Sequence, residues 1–362
     1  MKHISKVFTY LLLAINAFFV GILLLTAYSP YIHPVVHPIE SCMGLTFPIF
    51  LLINLCFFIF WLIVHYKYSA LSLLGFLLCY SQILTYLPMN FRTAPTENSL
   101  KLLSYNIMAF NHLEKTGGAN PILSYIQKLD ADIVCLQEYV TPQNTKGHLN
   151  EKEIRKGLKA YRYRNVQQIG EKGSNQLACY SKYPILSARV IPYESHYNGS
   201  VAYEIKVGDD TLTVINNHLE SNKLTKEDKV VYESMIKDPD ADKVKSGARL
   251  LINKLAEASA IRSKQADAIA REIATSPHAS IIVCGDFNDS PISYTHRVIA
   301  EQLKDAFTES GRGLGISYNQ NKFYFRIDHI LISKNMSSHN CTVDRSIDSS
   351  DHYPIWCHIE IN

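Results

Sequence analysis

Residues 281–289 read IIVCGDFND, an apolar run from Ile281 to Cys284 that stops abruptly at Gly285, Asp286, Phe287, Asn288 and Asp289. A continuous apolar run suits a strand buried between layers. Gly, Asn and Asp are also what turns are made of, so on its own the stretch reads as a strand followed by an Asx-rich turn. Whether it means more depends on what the other strand ends carry.

Working outward, β-type runs recur after residue 100: LKLLSYN, DIVCLQE, LACYSKYPI, VAYEIKV, TLTVINNHL, SIIVCGDFN, RIDHILIS and YPIWCHIEI. Helical patterns intervene, the longest from about Ser246 to Ala274, with shorter ones at Pro121–Leu129 and Thr295–Leu303. Strands alternating with helices predict an α/β domain of packed sheets flanked by helices. The charged stretch 222–247 follows a strand end and reads as a solvated excursion in preference to a lid.

The first ninety residues have another character. Before Asn90 the ionised side chains are Lys2, Lys6, Glu40 and Lys67, and almost everything else is apolar or aromatic. Three uncharged runs, Val7–Ala27, Leu45–Val64 and Tyr68–Leu87, are each long enough as a helix to cross the roughly 30 Å hydrocarbon core. Length, the missing A-x-A site and the two runs that follow argue against a cleaved signal peptide. Pro48 falls in a first turn, where proline is tolerated. The expected organisation is a membrane anchor of three transmembrane helices over 1–90, a polar linker over 91–99 and an α/β domain over 100–362. Lys2 and Lys6 favour a cytoplasmic N-terminus, so an odd number of spans places the domain on the extracytoplasmic side, in the inner membrane if the source is bacterial.

Of 36 lysines and arginines in the chain, three precede Asn90, as does one of the 33 acids, so the domain is close to neutral. Such a balance provides no general basic field for nucleic acid. YRYR at 161–164 reads as a solvated face. The eight cysteines show no metal-type spacing and read as buried thiols, with a Cys341/Cys357 disulfide as the one alternative.

Six strand ends share a property. They offer Asn106, Glu138, His218, Asp286 with Asn288, Asp328, and Asp351 with His352. Taken singly, each has an ordinary reading as a turn residue, a surface acid or a hydrogen-bonded histidine. Together they fall where α/β proteins gather functional groups, at a shared crevice beside the strand ends. Carboxylate and amide oxygens are hard ligands suited to Mg²⁺, Mn²⁺ or Ca²⁺, and the absence of a Cys/His ligand cluster speaks against structural zinc. Phosphate ester cleavage asks for such a cation, a base for water and donors for the developing charge.

The ordered set SYNI, LQE, NNHLES, CGDFN, RIDHIL and SDHYPI resembles the endonuclease/exonuclease/phosphatase superfamily, which includes DNase I-like nucleases, abasic-site endonucleases, neutral sphingomyelinases and inositol phosphatases. The resemblance runs from about Leu100 to Ile361. It implies a four-layer α/β sandwich with two mixed β-sheets, here preceded by three transmembrane helices, and Mg²⁺-dependent hydrolysis of a phosphate ester. It places Asn106, Glu138 and Asp351 around the metal, with Glu138 the principal ligand. It pairs His352 with Asp328, has His218 donate to the scissile phosphate, and has Asp286 and Asn288 position water and a phosphate oxygen. Asn175, before the SKYPI turn, reads as a loop amide or a substrate contact. Arg262 and Gln265 are assigned to a helix packed behind the site.

The expected protein is a membrane-anchored phosphoesterase whose partners are the lipid bilayer and a phosphoester substrate, whether lipid head group, nucleotide or nucleic acid, with no obligate protein partner evident. An extracytoplasmic DNA or RNA endonuclease is the alternative, and a non-catalytic binding module the next. A transporter is disfavoured, because no Asp, Glu, Lys or Arg lies within the apolar runs.

Overall fold

The structure, a computed structural model, describes residues 2–116, 118–141, 148–173, 175–222, 241–320 and 323–362, together with Asp228, Val230 and Ser234. Most of the charged stretch 222–247 lies outside the described residues.

Two mixed sheets face each other. The first contains β1 (Leu100–Asn106), β2 (Ile133–Gln137), β3 (Tyr163–Ile169) and β4 (Asn175–Ser181). The second contains β5 (Ile185–Val190), β6 (Gly199–Val207), β7 (Asp210–His218), β8 (Ser280–Asp286) and β9 (Leu303–Asp305). A small hairpin, β10 (Tyr318–Gln320) and β11 (Phe323–Phe325), precedes β12 (Asp328–Ser333) of the second sheet. The chain returns to the first sheet through β13 (Met336–Val343) and β14 (Ile355–Ile361). The strand orders are β13-β14-β1-β2-β4-β3 and β5-β6-β7-β8-β12-β9. Each sheet has one parallel pair, β1 with β2 and β7 with β8, among antiparallel neighbours.

The apolar runs form strands because both of their faces are covered. Between the sheets lie Leu102, Ile133, Cys135, Tyr203, Val214, Ile282, Cys284 and Ile330, all fully buried. The other face of the first sheet packs against Pro121–Leu129 and Glu151–Gly157 through Ile122, Ile126 and Ile154. The other face of the second packs against Ala241–Ala274 and Tyr294–Ala300 through Ala266, Ile269 and Val298. Helices, sheet, sheet and helices make the four layers. Cys341 and Cys357 are free thiols on neighbouring strands.

Before this domain, α1 (Lys2–Tyr28) packs antiparallel to α3 (Phe47–Val64), joined through a short α2 (Pro38–Ser41). The segments Lys6–Tyr31 and Pro38–Val64 are long and apolar enough to cross a membrane. The third run is broken: α4 (Ser69–Leu78) and α5 (Tyr80–Tyr86) meet at an angle of 67°. The break falls at Cys79, whose N–H is shared between the carbonyls of Gly75 and Leu77, and α5 turns so that Thr85 O accepts from Arg326 of the domain. Between the helices, Asn16 Oδ1 accepts from Trp61 Nε1 at 3.0 Å and from Ser72 Oγ at 3.2 Å, polar contacts that hold apolar helices in register.

The stretch read as a linker is pinned. Asn90 Nδ2 donates to Thr308 O at 2.8 Å and Asn340 Nδ2 donates to Thr93 O at 2.6 Å.

Candidate active site

The parallel pairs β1/β2 and β7/β8 end at one edge of the two sheets, and this edge carries the site. Asn106 closes β1, Glu138 follows β2, His218 closes β7 and Asp286 closes β8. Two expected strand ends turn out to be strand beginnings: Asp328 opens β12, and Asp351 and His352 precede β14. They reach the same edge because β12 runs antiparallel to β8, with Asp328 opposite Asp286, and β14 antiparallel to β1.

Local sequence makes the edge possible. Gly285 has φ +127, and a Cβ there would lie 2.0 Å from Asn217 O, so only glycine lets β8 pass β7 this closely. Below the edge, Gln137 Nε2 donates to Asn216 Oδ1 at 2.6 Å, a buried bond that ties one sheet to the other. Glu138 and Asn288 both have left-handed backbones, φ 49 and φ 52, of the kind found at functional sites.

The side chains form one connected set. Asn106 Nδ2 donates to Glu138 Oε1 at 3.1 Å and to Asp286 Oδ2 at 3.2 Å. His218 Nε2 lies 3.7 Å from each of Glu138 Oε1 and Asp286 Oδ2. His352 Nδ1 bonds to Asp328 Oδ2 at 2.8 Å, and its Nε2 is 3.5 Å from Asp286 Oδ2. Asn288 N donates to Asp286 Oδ1 at 2.8 Å, and Ser350 Oγ, beside Asp351, donates to Asn106 O at 2.7 Å. A cavity of about 240 Å³ is lined by Glu138, His218, Asp286, Asn288, Asp351 and His352 among others.

Burial pushes Asp286 up to about 6, against the lowering pull of His352 and His218. Burial works against a charged His352, but Asp328 and Asp286 outweigh it and hold the imidazole well above its usual value. The resulting Asp328–His352–Asp286 cluster has ligand atoms within 4.8 Å of one another. His352 meets a carboxylate through each ring nitrogen, so the cluster reads as an ionic triad, hydrogen-bonded on the Asp328 side. Glu138 is the more open acid, with its side chain 39% exposed.

Six of the eight residues singled out for catalysis or metal line one cavity, and the other two, Asn106 and Asp328, bond to its lining through Glu138, Asp286 and His352. Asn175 joins them: its Nδ2 lies 3.1 Å from His218 Nδ1, while its Oδ1 accepts from Gln176 N at 2.7 Å. Gln265 does pack behind, accepting from Glu220 N at 2.8 Å. Arg262 does that and more, bonding Glu220 O, Asn222 and Asp289 while lining the cavity. Sequence reasoning missed Tyr318, whose ring stands 5.2 Å from that of His352, and the apolar wall formed by Leu45, Leu255, Phe323 and Phe325. The YNQ run had no neighbouring motif to mark it, and Leu45 lay in a segment assigned to the anchor.

Two opposed mixed sheets with an acid, amide and imidazole constellation at one edge define the phosphoester-hydrolase class of α/β sandwich. The chain belongs to the Endonuclease/Exonuclease/phosphatase family, whose profile matches residues 103–352. Members of that family hydrolyse phosphate esters and generally use divalent metal ions. A second profile, Domain of unknown function (DUF8431), matches residues 9–86. No curated protein matches the chain significantly. Similar solved structures include D. rerio TDP2 complexed with single strand DNA product, at 16% identity and TM-score 0.48 over 72% of this chain and 99% of that one. The human Nocturnin catalytic domain with bound sulfate anion is similar at 14% identity and TM-score 0.49, over 75% and 98%. An endonuclease/exonuclease/phosphatase from Bacteroides vulgatus is similar at 14% identity and TM-score 0.46, over 73% and 99%.

Proposed function

We propose that residues 100–362 are a divalent-metal-dependent phosphoesterase and that residues 1–90 anchor it in a membrane. The observation that carries the catalytic half is the unbroken set of contacts, none longer than 3.7 Å, joining Asn106, Glu138, His218, Asp286, Asp328 and His352.

Glu138, Asn106 and Asp351 would hold the cation, Mg²⁺ in the first instance and Mn²⁺ or Ca²⁺ by the same preference for oxygen. The donor set fits: it is built from hard oxygens, and Asn106 holds the exposed Glu138 carboxylate in place. When bound, such an ion neutralises charge on phosphoryl oxygens. The protein supplies the rest. His218 presents an Nε2–H to a phosphate oxygen, because Asn175 donates to Nδ1 and leaves the proton on the far nitrogen. Asp286, with Asn288 beside it, positions the water. His352, held by Asp328, places positive charge against the same space.

The arrangement of the helices supports the expected orientation. The α1–α3 connection and the end of α5 both touch the domain through Arg297 and Arg326, whereas the turn at 65–68 lies at the far end of α3. With Lys2 and Lys6 on the cytoplasmic side, the domain is extracytoplasmic.

The test is Mg²⁺-dependent hydrolysis of bis(4-nitrophenyl) phosphate by the detergent-solubilised full chain. Glu138→Ala and His352→Ala should each lower kcat by roughly 10²–10⁴-fold with the fold intact by circular dichroism. Equal rates in wild type and both variants would overturn the proposal.

A further inference from the structure

The active-site cavity has a wall that phosphate chemistry does not require. Beside the acids and imidazoles its lining includes Leu45, Leu255, Phe323, Phe325 and Ile327. Leu45 lies outside residues 103–352; it belongs to the connection between α1 and α3, two residues before α3 begins.

That connection is seated on the domain. A Cβ at Gly44 would lie 1.9 Å from Ile292 O, so the two backbones touch. Ile292, a few residues past Asp289, is buried in the core of the helix bundle among Leu23, Ala27, Phe47 and Cys79. Arg297 Nε donates to Pro30 O at 2.8 Å and its guanidinium lies 4.9 Å from the centre of the Tyr31 ring. These contacts use the C-terminal end of α1 and the N-terminal end of α3. The cavity therefore opens where the apolar helices stop, the level at which lipid head groups lie against a spanning bundle. Along the same connection, Val35, Val36 and Ile39 are 50%, 68% and 51% exposed.

We propose that the α1–α3 connection is part of the active site and that the substrate is a phosphate ester of a bilayer lipid, whose chains run past Leu45, Leu255 and the Phe323–Phe325 strand while its phosphate meets the polar wall. The inference rests on the phosphoesterase reading above. Water's oxygen forms the new bond to phosphorus, the ester P–O bond breaks with its electron pair leaving on the alcohol oxygen, and that oxygen takes up a proton. The other proton of water ends on the phosphate side or in solvent, and no redox partner is needed. Charge favours lipid over nucleic acid. Among the described residues lining the cavity there is no lysine and one arginine, Arg262, already engaged by Asp289, Asn222 and Glu220 O, whereas nucleic acid binding draws on cations along the backbone.

The experiment uses the full chain in proteoliposomes, with long-chain phosphatidylglycerol, phosphatidylethanolamine and phosphatidic acid as probes. Their dibutanoyl counterparts in solution, a single-stranded oligonucleotide and bis(4-nitrophenyl) phosphate run in parallel. At least one long-chain lipid should exceed its short-chain counterpart in kcat/KM by roughly a hundredfold, and Leu45→Asp or Phe325→Ser should lower that ratio by about tenfold, mainly through KM. Equal rates on long and short chains, a faster rate on the oligonucleotide, or an unchanged ratio in both variants would overturn the lipid assignment. So would His352-dependent cleavage of bis(4-nitrophenyl) phosphate with no lipid cleaved. No cleavage of any probe would remove the phosphoesterase reading itself, and the lipid assignment with it. The long-versus-short comparison needs only wild-type protein, so a variant that fails to fold leaves it decisive.

Discussion

His218 carries its proton on Nε2 because of one amide. Asn175 cannot turn over, since its Oδ1 accepts from Gln176 N, so its NH₂ is what meets Nδ1 of the imidazole. Asn175→Ala should therefore lower kcat by about tenfold while leaving KM nearly unchanged, as loss of an orienting partner to a working histidine does. Steady-state kinetics on a soluble diester would show it, and a purely additive fall in stability without a kcat effect would count against the assignment. At this scale the sequence was informative about identity and weaker about partnership. Asn106, Glu138, His218, Asp286, Asn288, Asp328, Asp351 and His352 could be named from the sequence because so many apolar runs carry such groups beside them, although each alone reads as a turn residue, a surface acid or a hydrogen-bonded histidine. Asn175 was legible as a loop amide or a substrate contact and not as the partner of His218, because nothing local says that β4 begins beside β7's last residue.

Asp305 joins three elements. Its Oδ1 accepts from Phe307 N and Thr308 N at 2.8 and 3.0 Å, capping the helix Ala306–Ser310, and its Oδ2 pairs with His296 Nε2 at 2.9 Å. Burial alone would raise its carboxyl, but the bond to His296 and the nearby Arg326 outweigh burial and hold it well below the usual range. A carboxyl lowered in the folded state adds stability that is complete above its unfolded value of about 4 and lost as pH falls through the folded value. Asp305→Asn should thus lose about 1–3 kcal/mol near pH 7 and show a shallower loss of stability on acidification, read from thermal melts across pH. Equal slopes for the two proteins would count against it. The strands and helices themselves were mostly legible from apolar runs. The missed strands include the sheet edges β3, β13, β5 and β9 and the short β10–β11 hairpin; the edges are mostly half-exposed, so neither continuous burial nor clean alternation announces them. The third apolar run was legible as helical, yet its 67° break at Cys79 was not, because it follows from α5 turning toward Arg326.

The bundle and the domain meet through a contact that tolerates no side chain at residue 44. Gly44→Val would set a branched side chain against Ile292 O, so the connection must lift or the loop after Asp289 must shift. A cost of about 1–3 kcal/mol is expected, as for other overpacked sites, and is measurable as a lower melting temperature of the detergent-solubilised full chain. An unchanged melt would mean that the connection does not sit on the domain. Because Leu45 follows directly, the same variant should disturb the apolar wall of the cavity more than its acidic one.

The sequence by itself determined the chemistry-bearing side chains, the apolar strands that carry them and the uncharged helices ahead of them. Residue type and local period encode these without reference to distant contacts. Only the tertiary structure decided that strand beginnings at Asp328 and His352 join strand ends at Asn106 and Asp286, because antiparallel pairing reverses which terminus meets the shared edge. It alone decided that Leu45, from the helical connection, lines the same cavity as His352. That placement joins residues far apart in the chain, and it is set by how whole layers pack, which no local pattern records.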